Sequence, residues 1–424
     1  MQTARTAISS SAYPLSFMQP AANAWRDVLA KSVLFFFGIA LWYKGLSFYA
    51  YYLLPLAWTI DGGLARAGET VKEPLAIGML LLCFVLALGI LWSDHPDLGF
   101  KVWRRYFAFL VFIPYLGLLN KERLPWAISG ALLGYFGALL IGLYHWLVMG
   151  VQGIPTLGMP YLHFSSMLGI GVILALYLTG TSKNKTGKAL FWALALFLLF
   201  IQFNQNARGI LVATLISSVF LVFFLYRKKL SRLFTFITIL SFAASFSAYN
   251  SSSFEERLSQ ARQDIELLEQ KNFNSSIGYR LALWDVGLHG IAEHLFAGHG
   301  TGAAARYFDK TVETYKGGIY RDLTEFHDTY HYHNDWIEIG MQLGLLGLVA
   351  YALLLWGWFQ TLARRGHVAL AAALVSFIFV CGLVDNLVFF RQIIFLLIVV
   401  TTIFISYKGI GNTSTRAFTS SHDM

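Results

Sequence analysis

The chain has 424 residues and a mass of 47.6 kDa; 57% of it is hydrophobic, only 13% is charged, and the mean hydropathy is +0.58. A soluble domain carries about 25% charged residues, so too little polar surface remains to cover a globule, which excludes a soluble enzyme, a disordered chain and a nucleic-acid-binding module. The class left is an all-α polytopic membrane protein, and the net charge of +9 then reflects cytoplasmic loops and calls for no nucleic acid.

The N-terminus lacks a short apolar core followed by a small-residue cleavage site, so the first apolar run, from about Val28, reads as retained. The stretch 28–60 is too long for one helix and is split by Tyr43-Lys44-Gly45. It reads as two helices in a tight hairpin, with a re-entrant pair as the alternative. Further apolar runs cover 75–93, 102–119, 125–148, 160–180, 188–203, 208–226, 232–249, 334–358, 367–387 and 391–407, which makes about twelve spans. Cys83 and Cys381 lie inside such runs and read as thiols, not as a disulfide. The expected organisation is a bundle over 1–249 (spans one to nine), a mostly helical periplasmic loop domain over 250–333, spans ten to twelve over 334–407, and a cytoplasmic tail over 408–424.

Basic residues give the orientation. Outside 250–333 there are 24 Lys and Arg, and tallied by alternate loops they fall eighteen against six. This is the positive-inside bias, and it places both termini in the cytoplasm and 250–333 outside. Trp42, Trp92, Trp126, Trp146, Trp356 and Trp358 fall near span ends, as interfacial aromatics do.

The outer segment 250–333 holds 8 Lys/Arg, 12 of the 23 acidic residues and 6 of the 11 histidines. Phe254, Leu258, Ala261, Ile265 and Leu268 form an apolar stripe that predicts a helix from Phe254 to Lys271. A second helix is expected from Ile277 to about Leu295, carrying Arg280 and Trp284. Ala297-Gly298-His299-Gly300-Thr301-Gly302 could cradle a phosphate, but it lacks the strand before it and the lysine after it that a P-loop requires. A tight connection is the plainer reading.

At the entry to span ten stands His327-Asp328-Thr329-Tyr330-His331-Tyr332-His333-Asn334-Asp335-Trp336. His327 and His331 have the i, i+4 spacing of a zinc-protease helix, with His333 or Asp335 as a third ligand. Alternatively one histidine is a general base, because neutral imidazole takes a proton near neutral pH. Asp335 or Asp328 would then orient it.

Arg208 is the only charge in its short outer loop, and Arg280 lies in the soluble segment. Guanidinium presents a fixed donor fork that suits phosphate oxygens. Arg391 opens the last span, and Arg105 stands near Lys101 and Arg104 at the outer start of span four. Snorkelling to lipid headgroups is the plain account of these last three. Arginines and a histidine base on one outer face suit a hydroxyl attacking a sugar whose leaving group is a lipid diphosphate. No Asp-x-Asp pair stands in an outer loop to hold a divalent metal, so arginine would neutralise the diphosphate.

Three places carry a family likeness. Asn206-Ala207-Arg208-Gly209 resembles the Ser-Arg-Gly element of the bacterial O-antigen ligase and polymerase group. Ser275-Ser276-Ile277-Gly278-Tyr279-Arg280 with Trp284, followed by His294-Leu295-Phe296-Ala297-Gly298-His299-Gly300, resembles its Arg-x-x-x-Trp plus His-Pro-Leu-x-Gly-x-Gly block. His333-Asn334-Asp335-Trp336-Ile337-Glu338-Ile339 with Gly344-Leu345-Leu346-Gly347 resembles its His-Asn-x-x-Leu plus Gly-Leu-x-Gly block. The likeness runs from about 188 to 360. Ala207 replaces the serine, and the proline after His294 is missing.

The resemblance implies a twelve-span inner-membrane glycosyltransferase with a periplasmic site. It would move O-antigen polysaccharide from undecaprenyl diphosphate to a sugar hydroxyl of lipid A–core, inverting and without a metal or other cofactor. Arg208 and Arg280 would bind the donor diphosphate, with Arg391 and Arg105 as further candidates. His333 would be the base, and His331 is a second catalytic candidate by proximity. A polymerase differs only in using a second lipid-linked glycan as acceptor. A lipid-linked-glycan transporter and a membrane zinc protease are the alternatives from other classes.

Overall fold

The computed structural model describes residues 19–249, 252–321, 323 and 331–407. Among these residues the secondary structure is helical, with one isolated bridge between Ile154 and Met159. The expected hairpin is present as α1 (Gln19–Ala40) and α2 (Lys44–Ile60), broken near Tyr43. A short α3 (Gly63–Val71) leads into α4 (Pro74–Gly89), α5 (Pro96–Tyr106), α6 (Phe112–Leu118) and α7 (Leu124–Leu147). Next come α8 (Tyr161–Thr181), α9 (Lys185–Phe203), α10 (Arg208–Tyr226) and α11 (Leu230–Tyr249). The polar segment that follows forms α12 (Ser252–Glu269), α13 (Ser276–Glu293) and α14 (Ala304–Val312). The chain returns through α15 (Asp335–Ala363), α16 (Val368–Val384) and α17 (Arg391–Ser406).

Among the described residues six helices are long and apolar enough to cross a membrane: α4 with its following turn (Pro74–Trp92), α7, α8, α9, α10 and α15. Both α16 and α17 are equally apolar and shorter. The expected single span over 102–119 is replaced by two helices with a short 3₁₀ turn between them, Phe109–Val111. Lys101, Arg104 and Arg105 make the first half amphipathic, and Pro114 removes an amide from the second. Cys83 and Cys381 are buried free thiols, as expected.

Contacts tie loop to loop at each end of the bundle. At one end the buried Arg123 donates to Asp61 at 2.7 and 2.9 Å and to Asp27 at 2.7 Å, and Arg365 pairs with Glu73 at 2.6 Å. At the other end Trp92 donates to the Ala297 carbonyl at 3.1 Å, and Asn334 donates to the Leu383 carbonyl at 3.0 Å. The histidine-bearing segment is at this second end.

One break shapes that end. Hydropathy runs unbroken through α15, yet Gly344 interrupts it with φ +58° and ψ −147°, a conformation open almost only to glycine. The glycine-rich loop 297–302 plugs the break. The Leu345 and Leu346 amides, stripped of helical partners, donate to the carbonyls of Leu295 and Phe296 at 2.7 and 3.2 Å. In return His299 and Gly300 donate to the carbonyls of Met341 and Gln342 at 3.0 and 2.8 Å. Thr301 N–H reaches the Gly89 carbonyl, and Gly302 N–H reaches Gln342 Oε1. Gly298 and Ala303 donate to His294 and Gly300. Every amide from Gly298 to Ala303 is therefore committed within the protein. The loop is a tight connection with no amide left for a phosphate.

A Cβ at Gly344 would lie 2.5 Å from the Leu295 carbonyl oxygen. Gly344→Ala is expected to destabilise the fold by at least about 2 kcal/mol. Gly137→Ala is the control, in a helix with nothing within 4 Å, and should be neutral or slightly stabilising. Thermal unfolding in detergent reads both; equal midpoints for the two variants would contradict this account of the break.

Candidate active site

Two helix starts frame a cavity of about 240 Å³. One is α10, whose first residue is Arg208; the other is α13, capped by Ser275, whose Oγ accepts from Gly278 N–H at 3.1 Å. Residues 206–210, Ser276 and Ile277 line the cavity, so the first turns and positive dipole ends of both helices bear on it. Arg208 and Arg280 line it as well, and Asp385 closes it. Gly209 lets α10 approach α16, since a Cβ there would stand 2.7 Å from a Val384 methyl. Two guanidinium groups and two helix N-termini around one hollow make an anion seat.

The histidine segment is held beside this cavity by Tyr332. Its N–H donates to Glu338 Oε2 at 3.0 Å, its carbonyl accepts from Trp284 Nε1 at 3.2 Å, and its hydroxyl donates to the Ala304 carbonyl at 3.2 Å. Trp284 is one turn beyond Arg280 on α13, so the Arg-x-x-x-Trp spacing puts Arg280 and the histidine anchor on one helix face. Asn334 then caps α15, its Oδ1 accepting from Trp336 and Ile337 at 2.9 and 3.1 Å, while its amide ties the loop to Leu383. Between these anchors His333 takes φ +48°, the left-handed region that a non-glycine residue enters at a cost. The strained turn aims its ring at the end of α16.

There His333 Nδ1 meets Asp385 Oδ1 at 3.1 Å. Asp385 is 2% exposed. Burial alone would raise its carboxyl, but the hydrogen bond and charge of His333 outweigh burial. Helped by the Asn386 N–H and Arg280, they hold it below the usual carboxylate range. The carboxylate is thus ionised at neutral pH. Its other oxygen takes no hydrogen bond from a described residue. The His331 ring stands 4.3 Å from the His333 ring. Burial, then the adjacent His333, push the His331 imidazole down to about 4, so it stays neutral and weakly basic at pH 7. Ligand atoms of His331, His333 and Asp385 lie within 4.8 Å of one another, a spacing that a divalent cation can bridge. The direct His333–Asp385 bond also has the geometry of a base and its orienting carboxylate.

Arg208, Arg280, His333 and His331 are therefore gathered at one site, joined through Asp385. Arg105 and Arg391 are not part of it and line a second cavity. Asp335, expected as an orienting carboxylate, instead accepts from the Tyr351 hydroxyl at 3.2 Å and from the Val388 N–H at 3.4 Å. His327 and Asp328, the remainder of the zinc-protease spacing, lie outside the described residues. Sequence reasoning missed Asp385 altogether. The available signal was its isolation: it is the only carboxylate between Glu338 and Asp423, and a lone acid at a span end is costly unless it is used.

Comparison with known proteins places this geometry. Residues 193–352 match the family described as O-antigen ligase, a segment that includes both arginines and both histidines. The O-antigen ligase of Escherichia coli (strain K12) is 23% identical over 252 residues, which are 59% of this chain and 58% of that protein. An uncharacterized protein of Haemophilus influenzae (strain Rd) is 27% identical over 140 residues, 32% of this chain and 34% of that protein. The chain thus spans less than two thirds of the length of either relative. The segment that carries Arg208, Arg280, His331 and His333 is thus similar to the O-antigen ligase family over residues 193–352, and the chain is similar to the E. coli protein over 59% of its length.

Proposed function

We propose that this chain is an O-antigen ligase. It transfers a polysaccharide from undecaprenyl diphosphate to a sugar hydroxyl of lipid A–core. The setting is a twelve-crossing bundle of the inner membrane, with the site, 250–333 and the ends of α15, α16 and α17 facing the periplasm and both termini in the cytoplasm. The observation that carries this reading is the convergence of Arg208, Arg280 and the His333–Asp385 pair on one cavity.

In this reading the donor diphosphate sits between the two guanidinium groups and the N-termini of α10 and α13. Asp385 holds His333 Nδ1, which leaves Nε2 to face the acceptor hydroxyl. As the hydroxyl oxygen bonds to the anomeric carbon, its proton passes to Nε2 and the carbon–oxygen bond to the diphosphate breaks. This single displacement inverts the anomeric centre. The departing undecaprenyl diphosphate is stabilised by charges already in place. Asp385 steadies the imidazolium that forms, and the neutral His331 adds no competing positive charge beside it.

Asp385 is a positioning residue. Asp385→Asn is expected to lower kcat about a hundredfold or more, because an amide can hold the wrong tautomer, while donor KM stays within a few-fold. Asp385→Glu should recover part of the rate. Transfer by Asp385→Asn at the wild-type rate would remove the residue from the mechanism. The histidine–aspartate spacing also fits a cation, so chelation is decisive. Transfer is expected to survive EDTA, and loss of activity restored by zinc would replace this mechanism with a metal-assisted one.

The function itself is tested by a lipopolysaccharide gel from a deletion strain. Bare core with accumulated lipid-linked polymer is the expected pattern. Core capped by single repeat units would make the chain a polymerase.

A further inference from the structure

The end of the bundle that carries His333 has a second cavity, of about 400 Å³, bordered by Lys101, Arg104 and Arg105 of α5 and by Arg391 at the start of α17. Its far wall is aromatic. Phe48 and Tyr51 of α2 each pack edge-on against Tyr52, at 4.9 and 5.0 Å between ring centroids, and Phe48 and Tyr52 are half exposed. None of the ion pairs among the described residues involves any of the four cations. Arg104 Nε is turned onto the Phe100 carbonyl, and Arg105 lies over the Phe389 ring at 5.2 Å. Snorkelling explains a single cation at a helix end. It does not explain why two separate helices bring four like charges to one hollow, where they repel one another unless an anion joins them.

The position of the hollow matters as much as its charge. Phe389 carries Arg105 on its ring face, and the His331 ring stands edge-to-face with it at 5.9 Å. The two spacings together put the Arg105 guanidinium no more than about 11 Å from His331. The cavity of Arg208 and Arg280 is reached through Asp385 instead. The histidine pair therefore stands between two cationic cavities, one beyond Asp385 and one beyond Phe389. A reaction that joins two lipid-anchored substrates needs two headgroup seats with the base between them, and the first cavity serves only one.

We propose that the cavity between α5 and α17 binds the phosphorylated headgroup of the acceptor lipid, with the α2 aromatics against its apolar boundary. This rests on the ligase reading above. The cations supply the phosphate contacts, and exposed Phe48 and Tyr52 supply an interfacial edge beside which acyl chains enter the bilayer. Donor and acceptor then approach His333 from different sides.

The test uses the full chain in phosphatidylcholine nanodiscs, with lipid A–core as acceptor, either native or phosphatase-treated. R104Q/R391Q is expected to raise the acceptor KM and the Kd of labelled native acceptor at least tenfold, with donor KM and kcat within twofold. R104K/R391K should retain most binding. Dephosphorylating the acceptor should weaken wild-type binding by a similar factor and leave the glutamine variant little further to lose. A rise in donor KM instead would assign the cavity to the donor and overturn the proposal. So would an equal loss on the dephosphorylated acceptor. A third contrary result is unchanged acceptor binding together with loss of stabilisation by added phosphatidylglycerol, which would make the hollow a seat for bulk anionic lipid. Labelled-acceptor binding is measured without turnover, so it reads the cavity even if the chain transfers no glycan. Both arginines are exposed, and equal thermal midpoints will confirm that the variants fold.

Discussion

His333→Ala is expected to reduce transfer by about 10³-fold or more while the donor lipid still binds within a few-fold of wild type. General-base catalysis contributes roughly 10²–10⁴-fold, and in the proposed mechanism the imidazole acts on the acceptor hydroxyl, not on the diphosphate. His331 cannot substitute. Burial and the adjacent ring hold it near 4, and a group so weakly basic takes little of a hydroxyl proton at pH 7. His331→Ala should therefore cost much less than His333→Ala. Single-turnover transfer and donor binding, measured on the same preparation, separate the two effects. Loss of donor binding in His333→Ala would move the residue from base to binding group. Equal losses in the two histidine variants would remove the distinction drawn between them.

Arg208→Lys is expected to lower kcat/KM for the donor by about a hundredfold, although the charge is kept. An ammonium is a point charge, whereas guanidinium offers parallel N–H donors to two phosphate oxygens. Arg208 opens α10, so its side chain and the first amides of the helix bear on the same cavity. Lysine supplies the field but not the fork. Arg280→Lys should behave alike, and the double variant should lose less than the product of the two single losses, since in the proposed mechanism both cations hold one diphosphate. Wild-type activity in Arg208→Lys would remove the bidentate contact from the account.

Much of the architecture was legible because helices announce themselves locally. The expected helices from Phe254 and Ile277 appear as Ser252–Glu269 and Ser276–Glu293, each defined by periodicity within its own segment. Arg280 and Trp284 could be paired from their i, i+4 spacing alone. Relations between distant segments were less accessible. Asp385 lies 52 residues from His333, and nothing near either residue reports the other. Arg105 and Arg391 stood beside Arg208 and Arg280 as further candidates for the donor diphosphate, and packing around Phe389 divides the four into two cavities. The break at Gly344 is hidden because a glycine inside an apolar run changes hydropathy little. The partners that make the break possible, the carbonyls of Leu295 and Phe296, come from another part of the chain.

The most direct measurement is a structure of the full chain with undecaprenyl diphosphate bound in nanodiscs. The account predicts the diphosphate between Arg208 and Arg280 at the N-termini of α10 and α13, with His333 Nε2 open toward the position of the sugar carbon. A diphosphate seated instead among Lys101, Arg104 and Arg391, with the Arg208–Arg280 cavity unchanged, would contradict it.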